Sequence, residues 1–92
     1  MPNSRAHVFV EGEVQGIGFR NYVAKHAMRL DIKGWVRNLH DGRVEAVFEG
    51  EKEPVQQLLV LAAKGPTFAR VKKLDTSWEN PISEFNEFVI AH

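Results

Sequence analysis

KGWVRNLHDGRVEAVFEG, residues 33–50, decides the fold. Two β-like runs, 33–39 and 43–49, flank His40-Asp41-Gly42. Asp-Gly between two such runs is a strong short-range signal for a β-hairpin. In the second run Val44, Ala46 and Phe48 share one face, and Glu45, Val47 and Glu49 share the other. In the first run Gly34, Val36 and Asn38 share a parity, opposite Trp35, Arg37 and Leu39. A period of two with one apolar face is the pattern of a half-buried strand.

Upstream of the hairpin, residues 6–14 also alternate, with Ala6, Val8, Val10 and Val14 on one parity and Phe9 as the apolar exception on the other. The loop Gln15-Gly16-Ile17-Gly18 follows. Phe19, Val23, Ala27 and Leu30, supported by Ala24 and Met28, then predict a helix over 19–31. Downstream, Glu51, Glu53 and Pro54 suit a helix start. Val55, Leu58, Leu59 and Ala62 form its buried stripe, and Lys64-Gly65-Pro66 ends it. Residues 69–78 read as a fourth strand. Its parity slips between Val71 and Leu74, which predicts a bulge near Lys72-Lys73. Two lysines on such a strand suit an edge guarded against aggregation. A short strand over Phe88–Ile90 completes the order.

The order β-α-β-β-α-β is that of the split βαβ, ferredoxin-like α+β sandwich. Two helices are expected on one face of a four- or five-stranded antiparallel sheet, in one domain over residues 1–92. In this topology the third strand lies between the first two. The loop after strand one and the end of strand two then face each other at one sheet edge, about 9–10 Å apart. Residues 15–20 and Asn38 are brought to that place.

Composition limits the function. Lys plus Arg and Asp plus Glu both count 12, so the chain lacks the basic excess of a nucleic-acid binder. It has no cysteine, hence no thiolate metal site, disulfide or Cys nucleophile. No apolar run approaches the length of a membrane span, and MPNSRAHVFV lacks the pattern of a signal peptide. A soluble, cytoplasmic protein is expected, with no membrane or nucleic-acid partner, and a monomer. No pair among His7, His26, His40 and His92 has a metal-ligand spacing, so no metal and no cofactor are expected.

The loop has a chemistry of its own. Gly16 and Gly18 permit backbone angles at which successive N–H groups converge on an anion. The helix start adds free donors and a partial positive charge. Arg20 adds a fork of donors matched to phosphate oxygens. A cation opposes the helix dipole there, which a bound anion would offset. The bland alternatives are a plain β-to-α turn for the loop, a solvated arginine for Arg20 and a satisfied hairpin residue for Asn38. Arg37, on the other parity, reads as a surface charge. Trp35 and Phe9 share the outward face, as a packed cluster, a covered patch or a weak association surface.

VEGEVQGIGFR (10–20) and GWVRNLHDGRVE (34–45) together resemble the two signatures of the acylphosphatase family. KGPTFARVKKL (64–74) resembles a third family segment, so the likeness spans nearly the whole chain. Ile17 stands where valine is usual, and Ala91 where many relatives carry a basic residue. The resemblance implies hydrolysis of an acyl phosphate, a small-molecule acid anhydride, to a carboxylate and inorganic phosphate. It implies that Arg20 binds phosphate, that Asn38 holds the attacking water, and that the backbone of Gln15, Gly16, Ile17, Gly18, Phe19 and Arg20 forms the cradle.

Two readings of another class compete. RNA-recognition domains share the element order and expose aromatics on central strands. Glu45 and Glu49 on the outward parity of strand three are expected to repel a phosphate backbone. A small-anion sensor is separated from an enzyme only by an assay.

Overall fold

The hairpin forms as its sequence predicts. In the computed structural model, which describes residues 3–92, β2 (Lys33–Asn38) pairs antiparallel with β3 (Val44–Glu51). Met1 and Pro2, the start of the expected domain, lie outside the described residues. The turn is closed by Leu39 N–H donating to the Arg43 carbonyl (2.8 Å) and Gly42 N–H to the Leu39 carbonyl (3.2 Å). Asp41 accepts from the Arg43 N–H (3.1 Å) and guanidinium (2.9 Å).

The remaining elements are β1 (Asn3–Glu13), α1 (Phe19–Arg29), α2 (Lys52–Lys64), β4 (Arg70–Glu79) and β5 (Phe88–Ile90). The sheet order is β4-β1-β3-β2-β5. β3 lies between β1 and β2 and is antiparallel to both, so β1 and β2 run parallel. The expected antiparallel sheet needs one correction, because β5 pairs parallel with β2. β4 runs opposite to β1, and residues 80–87 then carry the chain to the far edge, where β5 rises beside β2.

The predicted bulge is present. Glu11 pairs with Lys73 and Gly12 with Val71, which leaves Lys72 as the extra residue on an edge strand. Both helices cover the face formed by Ala6, Val8, Val10, Val36, Ala46 and Phe48, against which Phe19, Val23, Val55 and Leu58 are buried. Tyr22 Oη donates to the Leu61 carbonyl (2.9 Å), tying the two helices together. α1 ends at Arg29, short of the expected residue 31, and Met28 is 63% exposed because its position falls outside the buried stripe.

The outer face departs from expectation. Glu45 and Glu49 are buried, at 7% and 3% exposure. Glu45 accepts from His7 (2.6 Å) and Arg37 (2.8 Å). Glu49 accepts the N–H groups of Ile82 (3.0 Å) and Ser83 (2.8 Å), so the β4–β5 connection covers it. These carboxylates are neutralised by partners and do not present the repulsive acidic surface expected of them. Arg37 is a partner of Glu45 as well as a surface cation. Its guanidinium lies over Trp35 (5.1 Å), and that of Arg43 over Phe9 (4.9 Å). The two aromatics are therefore half-buried under cations.

His7 links two carboxylates. Nε2 is 2.6 Å from Glu45 and Nδ1 3.0 Å from Glu79. Carboxylates only accept, so the doubly protonated ring alone satisfies both contacts. Burial lowers the proton affinity of His7, but the hydrogen bonds to Glu45 and Glu79 outweigh it and raise its pKa above the ordinary 6.5. The folded state therefore binds this proton more tightly than the unfolded chain. The stabilisation is complete below about pH 6.5 and is lost as pH rises through the raised value. A fall in Tm of a few degrees across that window is expected, and His7→Gln should flatten it; an unchanged slope in the variant would exclude His7 as its source.

Candidate active site

β1 delivers the chain to Val14, which is buried, and the next residues cannot continue the strand. Gly16 and Gly18 have φ of 75° and 82°, in the left-handed region that favours glycine. A Cβ at either would meet nothing within 4 Å, so backbone conformation rather than crowding demands glycine there. Gly18 caps α1 with no side-chain hydrogen bond, and no acidic residue lies in the first turn. The first helical bond runs from Tyr22 N–H to the Gly18 carbonyl (3.0 Å). The N–H groups of Phe19, Arg20 and Asn21 thus have no acceptor within the helix. Phe19, buried at 1% exposure, pins this end of α1 into the core.

Two cavities adjoin the loop. One, of about 380 Å³, is bounded by Gly16, Gly18, Phe19, Arg20, Asn21 and His92, among others. The second, of about 460 Å³, is bounded by Gln15, Arg20, Asn38 and Leu39 and by His40, Ala91 and His92. Arg20 and Asn38, predicted from separate motifs, therefore line one cavity. Among the described residues, Arg20 makes no ion pair. Asn38 Oδ1 is buried without a hydrogen-bond partner among the described residues. Ile17 lines neither cavity and packs its side chain against the core.

Gln15 has a side-chain role that the sequence did not reveal. Its Nε2 donates to the carbonyls of Leu39 (2.8 Å) and Arg43 (2.9 Å), which ties the start of the loop to the two ends of the β2–β3 turn. This contact fixes the loop relative to Asn38. Loss of two such bonds costs about 1–3 kcal/mol. Gln15→Ala is expected to lower the urea midpoint accordingly, and Gln15→Glu to lower it further by setting a carboxylate against two carbonyls. Equal midpoints for all three proteins would show that the tether is not formed.

His40, Ala91 and His92 were also not expected at the site. His40 follows β2 in the turn, and the signal for Ala91 and His92 is the parallel pairing of β5 with β2, which directs the chain after Ile90 toward Asn38. It could not be read from the spacing of the histidines.

The family model described as Acylphosphatase matches residues 6–90. The chain belongs to the acylphosphatase family. An acylphosphatase of Roseiflexus sp. (strain RS-1) is 49% identical over 90 residues, covering 98% of this chain and 97% of that protein. The crystal structure of acylphosphatase from Bacillus subtilis superposes with a TM-score of 0.93 at 30% identity, covering 97% of this chain and 99% of that one. The structure of an acylphosphatase from Coxiella burnetii gives 0.92 at 33% identity, over 98% and 94% of the two chains. Membership makes the chain a hydrolase of the acylphosphatase class, and sequence and fold together support hydrolysis of acyl phosphates. No helix among the described residues is long and apolar enough to cross a membrane.

Proposed function

We propose that the chain hydrolyses acyl phosphates without a metal, using a cradle of backbone amides and Arg20 for the phosphoryl group and Asn38 to hold the attacking water. The observation that carries this reading is a single cavity lined by Asn38 and by an arginine that makes no ion pair among the described residues, beside a helix N-terminus without a side-chain cap.

The substrate explains why so few groups suffice. Its leaving group is a carboxylate, whose conjugate acid has a pKa of about 4. It departs unprotonated, so neither a general acid nor a metal is required. Two tasks remain, stabilising charge on the equatorial phosphoryl oxygens and holding water in line. The amides of residues 15–20 and the Arg20 guanidinium serve the first. The Asn38 amide, which both donates and accepts, serves the second. The water oxygen bonds to phosphorus, and the bond from phosphorus to the acyl oxygen breaks with its electron pair leaving on the carboxylate. Asn38 is no base, so the proton of the water passes to a phosphoryl oxygen and the phosphate leaves as its monoanion.

The test is hydrolysis of benzoyl phosphate by chelator-treated protein, with p-nitrophenyl phosphate as the comparison. Rapid release of benzoate with negligible release of nitrophenol is expected. Phosphate binding without benzoate release would make the chain an anion sensor. Activity abolished by the chelator and restored by metal would overturn the metal-free mechanism.

A further inference from the structure

We propose that His92 is a second phosphoryl-contacting side chain, opposite Arg20 across the site. This rests on the phosphate-site reading above. β5 pairs parallel with β2 through Val36 and Ile90, and Ala91 N–H donates to the Val36 carbonyl (2.8 Å). Two residues further along that register, His92 comes abreast of Asn38. Arg20 and His92 are the two residues that border both cavities, so they flank the passage between the cradle glycines and Asn38. Among the described residues, no Asp or Glu side chain lines either cavity. An imidazole at this position donates an N–H to an equatorial phosphoryl oxygen on the side that the loop amides leave open.

His7 and His26 are engaged elsewhere and serve as controls. His7 lies between Glu45 and Glu79 on the outer face of the sheet. His26 packs edge-on against Tyr22, with ring centroids 4.7 Å apart. His40 borders the second cavity but not the first.

Inorganic phosphate titrated into the protein and followed by NMR tests the assignment. The ring resonances of His92 are expected to move along the same saturation curve as the amides of Gly16 and Gly18, while those of His7 and His26 stay fixed. His92→Ala should weaken phosphate binding about three- to tenfold, the ordinary net worth of one solvent-exposed hydrogen bond. His92→Arg should restore it. Moving loop amides with a static His92, or unchanged affinity in His92→Ala, would sink this proposal and leave the cradle intact. If the loop amides themselves do not respond and benzoyl phosphate is not hydrolysed, the phosphate site falls and His92 with it.

Discussion

Arg20→Ala is expected to lower kcat/KM on benzoyl phosphate by about 100- to 1,000-fold, the usual cost of removing one preorganised donor from a transition state, about 3–4 kcal/mol. Affinity for inorganic phosphate should fall as well, because in the proposed mechanism the guanidinium contacts oxygens present in substrate and product alike. The variant should nonetheless fold at least as well as the parent. Arg20 stands in the first turn of α1, where a cation opposes the dipole, and among the described residues it makes no ion pair that its removal would break. Relief of that opposition contributes about 0.3–1 kcal/mol, so Tm should hold or rise slightly. Arg20→Lys separates charge from geometry. It keeps the cation and loses the planar fork, so it should recover part of the phosphate affinity and little of the rate. Lost stability in Arg20→Ala with full activity per folded molecule would make the arginine structural and end its assigned role.

This opposition between local stability and proposed function is what points to the candidate site in sequence. An arginine after two glycines, at a strand-to-helix junction, breaks the rule for a helix start, and the break predicts a place for an anion. The fold was legible for the complementary reason that its local rules agree. Alternation in 6–14 and 43–49, the Asp41-Gly42 turn and the Gly65-Pro66 stop each specify an element within about three residues of its observed bounds. The slip between Val71 and Leu74 located the bulge, since an extra residue shifts every later side chain to the other face.

What could not be read depends on contacts between distant segments. Glu45 and Glu49 alternate as a solvent face should, yet both are buried, because His7, Arg37 and the N–H groups of Ile82 and Ser83 come from other elements to meet them. Their period-two pattern reports which side of the sheet they face, but the burial of Glu45 depends on His7 and Arg37 and that of Glu49 on residues 80–87. The same limit hid Gln15 and His92. A glutamine in a glycine loop carries no sign that its amide reaches across to Leu39 and Arg43. A histidine following a three-residue strand carries no sign of which edge that strand will join, and only the pairing of Ile90 with Val36 brings it beside Asn38.

Asn38→Ala is expected to lower kcat by about 100- to 1,000-fold while leaving phosphate affinity nearly unchanged. The split follows from where the side chain stands. Asn38 lies at the end of β2 and lines the cavity together with Gln15 and Arg20, and in the proposed mechanism its amide serves the attacking oxygen while the cradle amides serve the phosphoryl group. Substrate and product present the same oxygens to the cradle, but only the reaction needs the water in line. Truncation should also cost little stability. Oδ1 is a buried acceptor with no protein donor among the described residues, and such a group destabilises a fold by about 1–3 kcal/mol. Asn38→Asp sharpens the distinction, because a carboxylate facing the phosphoryl site adds repulsion and should weaken phosphate binding where alanine does not. Alanine therefore tests for water positioning and aspartate tests for proximity to the bound anion. A variant with alanine at 38 that loses phosphate affinity in step with its rate would move Asn38 into the cradle, and one that keeps its full rate would leave the attacking water held by some other group.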